Sequence, residues 1–203
     1  MRLLVDSDLF CKLGVGGILF DALTALETRI EECARLPALP HMLRRGSLTR
    51  RYGVKECAEL IPIAEKMQPA GTPEAIWLDR LTPIHEVDPG EAQLFALAAQ
   101  EDLFVATGDK RALNGLKNVD GYAEALSGHI IVLEGILLVL CDRLGPDILR
   151  RRVEPLMKND KMVEICFSDA NDDPRAAVES YLRSLADEVA PLTLWSITPG
   201  DAA

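Results

Sequence analysis

Three apolar runs along the chain end in an acid. "LLVD" (3–6) closes on Asp6, "LFVATGD" (103–109) on Asp109, and "IIVLE" (130–134) on Glu134. Each run is continuously apolar, not alternating, which is the pattern of a strand buried on both faces of a parallel sheet. Strands are therefore expected at 2–6, 103–107 and 129–133. Between them the apolar period becomes helical. Leu19, Leu23, Leu26, Ile30 and Cys33 keep one helical face up to Leu36, where "LPALP" breaks it. Helical spacing returns over 54–67, and a short helix is expected to open at Thr72, as cap, with Pro73 in its first position.

"DPGEAQLFALAAQED" (88–102) carries a full helix start: Asp88 as cap, Pro89 next, and Glu91 three residues after the cap. Further helices are expected after Asp109, over 134–143 and 146–157, and over the well-capped stretch 173–190. "MVEICFS" (162–168) reads as a late strand, and the last dozen residues read as loose. The order of strands and helices predicts an α/β fold with a mainly parallel sheet. The domain is expected to span 1–157, with 158–203 as a C-terminal helical extension packing on it.

Composition changes this picture in only a few places. The 203 residues carry a net charge of −10, which excludes a uniformly basic nucleic-acid coat. Five widely spaced cysteines without C-x-x-C fit reduced thiols, and three isolated histidines argue against zinc. The longest apolar run, "HIIVLEGILLVLC", is interrupted by Glu134 and is too short to span a bilayer. A cytoplasmic protein without membrane contact is expected. Against the acidic average, 41–55 holds Arg44, Arg45, Arg50, Arg51 and Lys55 with no acid, a candidate clamp for an RNA backbone that Tyr52 would extend by stacking. Lys110 and Arg111 follow Asp109 directly and add candidate phosphate contacts.

Parallel strands joined by right-handed crossovers end at one sheet edge, where ligands of such sheets bind. Asp6, Asp109 and Glu134 are therefore expected along one rim. Glu91 joins them, because its helix runs antiparallel to the strand it precedes. Clustered carboxylates repel, and a hard cation such as Mg²⁺ or Mn²⁺ resolves that repulsion through oxygen ligands. Each acid also has a structural reading. Asp6 fits a cap of the turn after the first strand, Asp8 a cap of the helix that follows, Glu91 a capping box with Asp88, Asp109 a turn, and Glu134 a helix start that favours acids.

The stretches "LLVDSDLF", "GEAQLFALAAQEDLFVATGDKRAL" and "HIIVLEGILLVLCDRLG" resemble the PIN domain family of metal-dependent ribonucleases. The resemblance covers residues 1–157 and implies a three-layer α/β/α sandwich that hydrolyses RNA phosphodiester bonds with Mg²⁺ or Mn²⁺. It implies metal ligation and catalysis by Asp6, Glu91 and Asp109, supported by Asp8, Thr107 and Glu134. RNA is the implied substrate. A small antitoxin is an implied partner if the nuclease is of the toxin type, and a second copy of the chain is another. The family usually adds an acid in the middle of the first half. Here that neighbourhood reads "LPALPHMLRRGS", leaving Glu56 or Glu59 on the following helix as substitutes. Two alternatives follow: a PIN-like binding or regulatory module weakened in catalysis, and a haloacid dehalogenase-like phosphatase with Asp6 as nucleophile and Asp8 as acid–base.

Overall fold

The computed structural model describes residues 2–196. Five short strands, β1 (Leu3–Val5), β2 (Cys33–Arg35), β3 (Gln68–Pro69), β4 (Phe104–Thr107) and β5 (Ile130–Val132), pair in the order β3-β2-β1-β4-β5, and every pairing is parallel. The chain moves outward from β1 to β3, then returns to place β4 on the other side of β1. The order thus reverses between β1 and β4, and a crevice opens at such a switch point.

Helices fill both faces. In chain order they are α1 (Ser7–Val15), α2 (Leu19–Ala25), α3 (Leu39–Arg44), α4 (Ser47–Tyr52), α5 (Val54–Ala64), α6 (Ala75–Leu81), α7 (Pro89–Glu101), α8 (Lys110–Leu116), α9 (Tyr122–Ala125), α10 (Leu133–Leu144), α11 (Pro146–Val153), α12 (Lys161–Phe167) and α13 (Pro174–Val189). Strand side chains alternate between two apolar layers, as the pleat requires. Leu3, Val5, Ala106 and Ile131 face a core with Phe10, Leu43, Leu60, Leu137 and Phe167. Leu4, Val105, Ile130 and Val132 face another, with Leu94, Phe95, Leu113 and Tyr122. The result is an α/β fold with an all-parallel sheet covered on both faces. Among the described residues no helix is long and apolar enough to cross a membrane.

Several expectations are corrected. The helix expected up to Leu36 stops at Ala25: Glu27 takes a left-handed φ of 50°, a 3₁₀ turn follows at Ile30–Glu32, and Cys33–Arg35 becomes β2. A short apolar run fits either period, and pairing with β1 decides it. Thr72 is not a cap, since α6 starts after Glu74 without a side-chain cap. The stretch expected as a late strand is α12, capped by Asp160, whose Oδ1 accepts from the N–H groups of Met162 and Val163. The end of the chain is not loose up to 196. Leu194 bridges Ile130 in parallel, and the Trp195 N–H donates to Ile130 O at 2.8 Å. The remainder, 197–203, lies outside the described residues.

Residues beyond 157 share the first core: Val163, Cys166, Phe167 and Val178 are fully buried with Phe10, Leu137 and Leu140. Phe167→Ala is expected to lower unfolding stability by about 3–5 kcal/mol, as for a large buried side chain elsewhere in a core. A single shifted denaturant transition would check this. A separate early transition would show a C-terminal unit that melts alone.

Candidate functional site

Three helices begin at the carboxyl edge of the sheet, and each delivers an acid there. Asp6 follows β1 and caps α1, its Oδ2 accepting from the N–H groups of Asp8 (3.1 Å) and Leu9 (3.3 Å). Asp109 follows β4 and caps α8, its Oδ1 accepting from Arg111 (2.9 Å) and Ala112 (3.0 Å). Thr107, buried, accepts from the Asp109 N–H at 3.2 Å and fixes that turn. Glu91 sits in the first turn of α7 and closes the capping box, its Oε2 accepting from the Asp88 N–H at 2.9 Å. Each acid commits one oxygen to a cap.

All three line one cleft of about 930 Å³ at the switch point, with Asp8, Lys12, Arg51, Lys110 and Arg111 around them. Asp6 and Glu91 are 9% and 5% exposed. Burial pushes the Asp6 carboxyl up to about 6, with the Asp8 charge adding and the Leu9 N–H opposing. Burial likewise pushes Glu91 up to about 8, with the charges of Asp88, Asp109 and Asp6 adding to it. Asp109 is the most open of the three, with a side chain 35% exposed.

Asp8 does not cap α1. Its Oδ1 accepts from Tyr52 Oη (2.7 Å) and the Arg51 guanidinium (2.9 Å), and its Oδ2 lies 3.4 Å from Lys12 Nζ. Lys12, with a side chain 7% exposed, pairs mainly with Asp160 Oδ2 at 2.6 Å. Burial opposes its charge, but Asp160 and Asp8 outweigh that and hold its pKa above the usual lysine value. Burial also disfavours the Asp160 carboxylate, yet Lys12 and the helix N–H groups hold its pKa below the ordinary range. Arg51 also donates to Asn159 O at 3.1 Å. The loop before α12 therefore holds two cations of the cleft, Lys12 and Arg51, without lining it.

Of the expected supports, Glu134 is buried and pairs with Lys110 Nζ at 2.7 Å behind the cleft. Of the expected basic clamp, the structure brings Arg51 and Lys110 to the cleft and leaves Arg44, Arg45 and Arg50 outside it. Arg44 pairs with Glu65 at 2.8 Å, because 41–55 is not one loop but two short helices anchored by Leu43, Leu48 and Tyr52. Glu56 and Glu59 are exposed on α5 and do not reach the cleft. Sequence reasoning missed Lys12 and Asp160. The Asp8–Lys12 spacing of one helical turn hinted at the first; nothing local hinted at the second.

The donor chemistry suits a hard cation: the acids offer only oxygen, and the buried Ser7 Oγ beside Asp6 has no hydrogen-bond partner. As placed, no three Asp, Glu, His or Cys side chains among the described residues stand close enough together to form a ligand set. A cation would have to draw the carboxylates together, and its charge would offset the burial and the neighbouring acids that raise Glu91. No protein-family model, curated protein or solved structure matches the chain.

Two measurements test the electrostatics. The raised acids bind protons more tightly when folded, so without divalent ions their stability contribution is full below about pH 4.5 and is lost as pH rises to about 8. Denaturant melts across that range should show a fall on the order of a few kcal/mol, and Glu91→Gln should remove most of it. Asp160→Ala should cost about 3 kcal/mol or more, because it strands Lys12 and uncaps α12. An unchanged melting temperature would mean that Lys12 is solvated instead.

Proposed function

We propose that the chain is a PIN-like, metal-dependent ribonuclease that hydrolyses RNA phosphodiester bonds in this cleft. The observation that carries the reading is the delivery of Asp6, Glu91 and Asp109 by three separate helix starts to one cleft, at the switch point of a parallel sheet. These three would hold Mg²⁺ or Mn²⁺. When bound, such an ion supplies Lewis acidity and lowers the pKa of water.

The chain's own residues do the rest. The caps hold one oxygen of each carboxylate by backbone N–H groups, and a cation would have to turn the other oxygens toward itself. Thr107 holds the turn that presents Asp109. Arg111, its side chain 67% exposed at the rim, is the cation most open to a phosphate. Lys110 orients toward Glu134, and Lys12 toward Asp160. With a net charge of −10, the protein approaches RNA through these local cations and the bound ion. A toxin-type nuclease, with a small antitoxin as partner, and a homodimer both belong to this proposal.

A binding or regulatory module is the second reading. It is favoured by the stretch leading into α3, which offers Leu36, Pro37, Ala38 and Met42 to the cleft where the resembled family usually carries another acid. Nothing favours the phosphatase, whose acid–base Asp8 is engaged by Tyr52, Arg51 and Lys12.

Cleavage of a mixed single-stranded RNA pool in Mn²⁺ is the direct test, with EDTA and Asp109→Asn alongside. Cleavage should require the metal and fall at least about 100-fold in the variant. Calorimetry should show weaker Mn²⁺ binding by Asp109→Asn, and unchanged affinity would remove Asp109 from the site. Metal binding without cleavage would select the second reading.

A further inference from the structure

One ammonium of the cleft sits between carboxylate oxygens, the surroundings that a hard metal ion takes. Lys12 Nζ lies 2.6 Å from Asp160 Oδ2 and 3.4 Å from Asp8 Oδ2, so it bridges a carboxylate of α1 and the capping carboxylate of α12. It also lies against the turn that presents Asp109: a Cβ placed on Gly108 would stand 3.4 Å from it. Lys12 lines the cleft, yet its side chain is only 7% exposed. Asp160 and Asp8 keep it charged against the opposing effect of burial.

The same arrangement engages Asp8 completely. Its Oδ2 faces Lys12, and its Oδ1 accepts from Tyr52 Oη and from the Arg51 guanidinium. A divalent ion entering between Asp8 and Asp160 would meet the Lys12 charge at contact distance. Like charges a few ångströms apart repel, and more strongly out of bulk water. The ammonium has one advantage over an ion in that place. It is tethered to α1 by its own side chain, so its occupancy does not depend on any ion concentration. Carboxylates that would otherwise gather a cation are thus supplied with one by the sequence.

We propose that Lys12 is a resident cation: its ammonium holds the place of a divalent ion between Asp8 and Asp160, and the chain takes up one ion fewer than its carboxylates could hold. Under the ribonuclease reading, the ion at Asp6, Glu91 and Asp109 then works beside a built-in positive charge and not beside a second metal. The residues that supply this charge lie at both ends of the chain, because Asp160 comes from the segment beyond 157. Lys12 and Asp160 are positioning residues in this arrangement. They set the charge of the cleft and withdraw Asp8 from the acids that face an ion.

The test counts Mn²⁺ bound to the full chain, from the paramagnetic resonance signal that the free ion gives and the bound ion loses. Wild type should bind about one ion and Lys12→Met about two, because the variant keeps the length of the side chain and leaves Asp8 and Asp160 unpaired. Lys12→Arg keeps the charge and should match wild type. Adding Asp160→Asn to Lys12→Met should return the count to that of wild type, which locates the extra ion. Equal counts in wild type and in a Lys12→Met chain shown to be folded by circular dichroism would overturn the inference. If that shared count is not zero, the ribonuclease reading stands and Lys12 is only a stabiliser of α12. No ion on wild type with one on Lys12→Met would uphold the inference and overturn the ribonuclease reading. No ion on either would overturn both. Should Lys12→Met not fold, Lys12→Gln repeats the count with the same expected gain.

Discussion

The pairing of β1 with β4 is the constraint on which the site depends. Leu3, Leu4 and Val5 align with Phe104, Val105 and Ala106, and the Asp6 N–H continues the ladder to Ala106 O at 2.9 Å. These two strands are about a hundred residues apart in the chain and adjacent only because the strand order reverses here. A slip of one residue would turn Leu4 and Val105 toward the wrong layer, so burial on both faces fixes the register. With it fixed, Asp6 and Asp109 emerge at one edge, and α7, which starts at that edge and runs back to the beginning of β4, brings Glu91.

Each acid is held by the same device. A helix start leaves N–H groups unpaired, and a carboxylate oxygen satisfies them. The structural and functional readings of these residues are therefore not rivals. At each, one oxygen caps, and the second oxygen of Asp109 lies 3.8 Å from the Arg111 guanidinium. Burial sets a cost on that arrangement, visible as carboxyls raised to about 6 at Asp6 and about 8 at Glu91. The cations nearby are mostly committed as well: Lys12 to Asp160, Lys110 to Glu134, and Arg51 to Asp8 and Asn159. Most local charges in the cleft are thus matched, while Asp6 and Glu91 stay buried without a cation partner of their own among the described residues.

The stretch expected to complete that set does something else. The chain between β2 and α4 presents aliphatic carbon to the cleft, and of its arginines only Arg51, at the end of α4, lines it. A cleft with acids on one side and aliphatic carbon on the other differs chemically from one ringed by acids.

The sequence by itself determined the strands that are continuously apolar, β1, β4 and β5, and the helix starts at Asp88 and Asp173, because those signals are local: burial on both faces, and a cap within three residues of its partners. It also determined that acids stand at strand ends. It did not determine β2 and β3, whose three and two residues carry too little pattern to outweigh their surroundings. "MVEICFS" has strand-like composition but lies where α12 packs its buried side on the core, and packing overrides a weak local preference. The partners of the charges were decided by tertiary structure alone. Lys12 meets Asp160 across 148 residues and Tyr52 meets Asp8 across 44, and no local spacing encodes such contacts. Side-chain chemistry along the chain fixes which groups need a partner; only the folded sheet, by bringing distant ends to one edge, decides which partner each one finds.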